Sequence, residues 1–100
     1  MTTDEEIVRR YLNRDGSLRQ MPAKRGPRLL VLAHIAHRIP VGVELKESAV
    51  NDALRPVSTD VAMLRRALVD EGMIERWPPG VYRRRLVQHA AEFLAGGDAK

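Results

Sequence analysis

Residues 58–85 read STDVAMLRRALVDEGMIERWPPGVYRRR, and the fold turns on this stretch. Val61, Leu64 and Leu68 recur at i, i+3 and i+7, which is the inward stripe of a helix. Ser58 or Thr59 supplies the cap, and Asp60 in the first turn suits the positive end of the helix dipole. Gly72 stops the helix. Residues 73–77 and 81–85 then read as two short strands, joined by the Pro78-Pro79-Gly80 turn.

Upstream, Thr3 opens a T-x-x-E capping box with Glu6, and Ile7, Val8, Tyr11 and Leu12 follow at helical spacing. Asp15-Gly16 closes that segment as a turn. Leu18 and Met21 flank Pro22 in a short extended piece. Pro27 occupies the first position of a second helix that runs to about Ile39. On it Leu29, Leu32, Ile35, Ala36 and Ile39 share one face, and Leu30, His34, His37 and Arg38 the other. Pro40 and Gly42 stop it. Residues 43–45 read as a short strand. Residues 46–54 read as a third helix that turns Val50, Ala53 and Leu54 inward, and Arg55-Pro56 breaks it. Residues 87–94 read as a final short helix, with residues 96–100 a frayed tail.

A strand between the first two bundle helices and a hairpin after the third is winged-helix order. The predicted class is therefore α+β, mostly helical: a winged helix-turn-helix with an added N-terminal helix and a short C-terminal helix. The 100 residues make one domain with its core over about 16–85.

Composition narrows the partners. A hydrophobic share of 44% beside 30% charged residues suits a folded soluble domain rather than a disordered chain. The net charge is +4 and arginine far outnumbers lysine, which favours phosphate and guanine as ligands; ordinary solubility is the competing explanation. Four aromatic residues are too few for base-stacking platforms. The absence of cysteine excludes disulfides and thiolate zinc sites. The acidic start and the lack of a long apolar run predict a cytoplasmic protein with no membrane partner.

Several stretches together resemble the bacterial DUF2087 domain family: GSLRQMPAKR at residues 16–25, E-x-x-V-N at 47–51, DVAMLRRALVDEG at 60–72, and IER at 74–76 followed by GVYRR at 80–84. Domains of this kind resemble winged helices and are often appended to regulators with a separate helix-turn-helix, so the resemblance implies transcriptional regulation. Lys46 departs from the family's usual Ser or Thr helix cap, and Ala49 replaces an acidic residue.

The candidate sites follow from that fold. Thr59, Ala62, Met63 and Arg66 lie on the outward side of the 58–72 helix, where a helix-turn-helix meets base edges. Arg66 in that position forks onto guanine; a solvated surface helix is the alternative. Arg65 lies beside the apolar stripe, so its head needs a carboxylate, with Glu47 and Asp60 as candidates. Arg76, Arg83, Arg84 and Arg85 on the hairpin are phosphate candidates; a hairpin kept soluble by charge is the other reading. Arg19, Lys24, Arg25 and Arg28 form a second basic cluster, of which Lys24 to Arg28 precede or open a helix. His34 and His37 have metal-ligand spacing but lack further ligands nearby, so neither metal nor cofactor is expected. There is no nucleophile elbow, Gly-rich phosphate loop or HExxH, and an enzyme is not expected. Duplex DNA is the expected partner. The alternative is a protein-interaction module, possible also as a homodimer, signalled by outward Met63 and Leu30.

Overall fold

The computed structural model describes residues 3–85. The expected helix over residues 87–94 and the tail after it lie outside the described residues. Four helices and three strands follow in the order α1 (Asp4–Arg9), α2 (Arg25–Ala36), β1 (Leu45–Lys46), α3 (Glu47–Leu54), α4 (Val61–Asp70), β2 (Ile74–Trp77) and β3 (Val81–Arg84). The class is α+β. The strands form one antiparallel sheet in the order β1-β3-β2.

Helix α1 starts at the capping box, where Thr3 Oγ1 accepts the Glu6 N–H at 3.2 Å. It is shorter than its apolar spacing predicts. Tyr11 and Leu12 lie beyond its end, where Leu12 bridges to Leu18 and the Tyr11 carbonyl accepts the Arg19 N–H at 2.8 Å. In the turn between, Asp15 Oδ1 accepts both the Ser17 hydroxyl and the Ser17 N–H, which holds its carboxyl below the usual range. The extended piece is tied to the other end of the core by the Leu18 N–H, which donates to the Val57 carbonyl.

Helix α2 is the centre of the domain. Leu29, Leu32, Ile35, Ala36 and Ile39 are all buried, and so is Val31 beside them. The helix begins at Arg25, two residues before the predicted start. Pro27 is tolerated at the third helical position because that N–H also has no intrahelical acceptor. No acid lies in its first turn, and its cap residue Lys24 makes no side-chain cap bond. Glu71, the cap residue at the end of α4, offsets the charge there, 3.7 Å from Arg25 and 3.9 Å from Arg28.

Strand β1 lies slightly later than its apolar residues predict. Leu45 and Lys46 pair with Tyr82 and Val81, which sets the register, and leaves Val43 47% exposed. Helix α3 begins directly from this pairing. Its cap residue Lys46 has no capping side chain, so the strand pairing fixes the chain where a Ser or Thr would otherwise do so. Val50 and Leu54 are buried, with Ala53 packed against the same core.

Helix α4 is capped by Asp60, not by Ser58 or Thr59. Asp60 Oδ1 accepts the Met63 N–H at 3.1 Å, while Ser58 Oγ accepts the Asp60 N–H and shapes the approach. Leu64, Ala67 and Leu68 form its buried side. At its other end the Gly72 N–H donates to Val69 and the Met73 N–H to Leu68, a Schellman closure with Gly72 at φ +75°. A Cβ on Gly72 would come no closer than 3.5 Å to Arg85 Nη1, so the cost of adding one is conformational rather than steric. We expect Gly72→Ala to lower stability by about 1 kcal/mol, read as a shift in the urea midpoint. An unchanged midpoint would place the helix stop elsewhere.

Among the described residues no helix is long and apolar enough to cross a membrane.

Candidate functional site

The exposed side of α4 faces the hairpin across an open cleft of about 460 Å³. Its walls are Ala62, Arg65, Arg66, Val69 and Asp70 of α4, Glu47 of α3, and Arg76 and Tyr82 of the hairpin. A second cleft, of about 530 Å³, adjoins it between the start of α3 and the hairpin turn. Lys46, Glu47, Ser48, Arg76, Pro79, Gly80 and Val81 line it. Glu47 and Arg76 border both.

Strand alternation explains which hairpin side chains turn inward. Tyr82 and Arg84 of β3 are buried, and Arg83 between them lies on the opposite face. The Tyr82 hydroxyl donates to Glu47 Oε1 at 2.9 Å. Burial raises the Tyr82 pKa above the ordinary tyrosine value, and the Glu47 hydrogen bond and charge act in the same direction. Arg65 Nε approaches the same Glu47 oxygen at 3.6 Å, while its Nη1 donates to Asn51 Oδ1. Asp60, the other candidate for Arg65, is committed to its cap. One carboxylate thus joins α3, α4 and β3.

The basic residues named from sequence divide by their surroundings. Arg84 is corrected outright: it is 9% exposed, its Nη1 donates to the Ile39 carbonyl at 2.8 Å, and burial lowers its pKa. A guanidinium sealed in that way holds the hairpin to the end of α2 and does not meet a phosphate. Arg83 lies over the Trp77 ring, 5.7 Å from its centroid, and 3.6 Å from Glu44, with its Nε buried and lacking a hydrogen-bond acceptor. Arg85 is exposed and its Nη1 donates to the Gly72 carbonyl at 3.3 Å. Arg76 is exposed and has no ion pair or side-chain hydrogen bond among the described residues.

In the second cluster Arg25 and Arg28 share Glu71, Arg19 donates to the Arg10 carbonyl, and Lys24 is exposed. Of the four base-edge candidates, Thr59, Ala62 and Arg66 are exposed. Met63 is partly buried and packs against the core, as does Leu30, so each presents only part of the outward apolar surface expected of it. Among the described residues the exposed large apolar ones are Val41, Val43 and Trp77.

His37 Nδ1 lies 2.8 Å from the Ala33 carbonyl, and burial, followed by the charges of His37 and Arg38, lowers the His34 pKa. Among the described residues no three potential metal ligands come together. Lys46 and Ser48 border the second cleft, and neither is among the site residues expected from sequence. The signal available for Lys46 was its odd presence at a helix cap.

What these walls offer chemically is electrostatic: the guanidinium groups of Arg65, Arg66 and Arg76 and the ammonium of Lys46, beside the carboxylates of Glu47 and Asp70. The sequence model of the DUF2087 family, described as an uncharacterized protein conserved in bacteria, matches residues 17–84. The chain belongs to that family. No curated protein and no solved structure is matched.

Proposed function

We propose that this chain is a winged-helix protein that binds duplex DNA and acts in transcriptional regulation. The observation that carries the reading is the order α2-β1-α3-α4-β2-β3 combined with the sheet order β1-β3-β2. In that arrangement α4 is the groove-entering helix and the β2–β3 hairpin is the wing. Thr59, Ala62 and Arg66 then face base edges, with Arg66 suited to guanine. The small Ala62 lets the helix approach closely.

A second reading has its own observation. Trp77 is 42% exposed, and Val41 and Val43 are similarly open, which favours a surface for another protein over a nucleic acid. Titrating random-sequence duplex at several salt concentrations separates the two. DNA binding is expected to weaken linearly in log affinity against log salt, by about 0.9 per phosphate neutralised. Absence of binding at low salt would leave the protein-interaction reading in its place.

A further inference from the structure

The two clefts on either side of Arg76 make a single trough that runs from α4, past the hairpin, to the start of α3. Two cations along its outer part, Arg76 and Lys46, have no ion pair or side-chain hydrogen bond among the described residues. Two acids also line the trough: Glu47, between these cations, is engaged by Tyr82 and Arg65, and Asp70 lies on the α4 wall, away from Lys46 and the hairpin turn. Ser48 adds a hydroxyl donor to the same wall. The arginines with the highest density in the sequence are disposed differently. Arg84 is sealed, and Arg83 is held by Trp77 and Glu44.

We infer that this trough seats one sugar-phosphate strand, with phosphates over Arg76 and Lys46, and that Arg83 and Arg84 are not the clamp. The inference rests on the DNA-binding reading and names where that reading's sequence-neutral affinity resides. A polymeric anion fits better than a lone phosphate for two reasons. Both clefts are open rather than enclosed, and their cations are divided between them, with Arg66 on the first, Lys46 on the second and Arg76 on both. Arg66, at the α4 end, remains available to base edges.

The experiment is fluorescence anisotropy of the full chain with random-sequence duplex across a salt series. Wild type is compared with Arg76→Ala, Lys46→Ala, the double variant, and Arg83→Ala as control. Each of the first two should flatten the log–log salt slope by about 0.9, the double variant by about twice that, and Arg83→Ala not at all. Circular dichroism melting should give wild-type transitions for Arg76→Ala and Lys46→Ala, and Arg76→Gln repeats the test if alanine disturbs the strand. Wild-type slopes in the Arg76 and Lys46 variants, with intact DNA binding, would overturn the trough and leave the DNA reading standing. No binding by wild type would remove both. A competition arm distinguishes the source of the anion. Inorganic phosphate should displace the duplex no better than chloride at equal ionic strength. Stronger displacement by phosphate would show a small-anion site and overturn the strand.

Discussion

Tyr82→Ala is expected to lower the unfolding free energy by about 3–5 kcal/mol, as deletion of a buried aromatic side chain usually does. Tyr82 is 2% exposed on β3, the middle strand of the sheet, and also forms part of the wall of the cleft beside α4, so water entering from the cleft places the loss towards the lower end of that range. Its hydroxyl is separable from its ring. Tyr82→Phe keeps the packing and removes only the 2.9 Å bond to Glu47, at a cost of about 1–2 kcal/mol. Urea unfolding of the pair divides the two contributions, and equal losses would show that the ring adds nothing. The Phe variant also tests the pH dependence. The folded-state pKa of Tyr82 is raised, first by burial and then by Glu47. The folded protein therefore holds the phenolic proton more tightly than the unfolded chain does. That stability is complete below the ordinary tyrosine value of about 10 and is lost as pH rises through it towards the raised value. The alkaline loss should be smaller in Tyr82→Phe. The same slope in both proteins would place the titrating group elsewhere.

The parts of the fold legible in the sequence are those set by local rules. The apolar stripe from Leu29 to Ile39 and the Gly72 stop follow from spacing or from one residue's conformational freedom, although α2 itself ends at Ala36, before Ile39. Misreadings arose where a distant partner decides. Ser58, Thr59 and Asp60 are all competent caps, and only the path of the chain from Val57 selects Asp60. Pro27 marks the start of a helix without saying which of its first positions it fills. Strand β1 slips towards Lys46 because β3, some 35 residues later, offers Val81 and Tyr82 as partners.

The candidate site was less legible for the same reason. Charge density drew attention to residues 83–85, yet alternation already places Arg84 on the face of Tyr82. The acceptor that makes burying it tolerable is the Ile39 carbonyl, 45 residues away. Met63 shows the opposite limit: a helix wheel gives direction but not how far the neighbouring core extends, and here it reaches round to Met63. Lys46 and Arg76 come together only through the sheet, so no linear pattern joins them.

Arg65 and Arg66 are adjacent and chemically identical, and the structure gives them different work. Arg65 has a side chain 20% exposed, pointed at Glu47 and hydrogen-bonded to Asn51. Arg66 is exposed and has no ion pair among the described residues. Arg65→Ala should therefore lower stability by on the order of 1–3 kcal/mol, because Asn51 and Glu47 lose a charged partner in a half-buried place. Glu47 is itself half exposed, so water recovers part of the loss and the lower end of that range applies to the ion pair alone. Arg66→Ala should stay within about 0.5 kcal/mol of wild type. The functional effects should reverse. Arg66→Ala relaxes sequence preference in DNA binding with little change in salt slope, whereas Arg65→Ala acts on binding only as far as it loosens the hairpin. Lysine at position 65 restores charge but not the planar fork that reaches both Glu47 and Asn51, so Arg65→Lys should recover only part of the stability. Thermal melting of these three variants decides the assignment, and equal melting temperatures for Arg65→Ala and Arg66→Ala would defeat it.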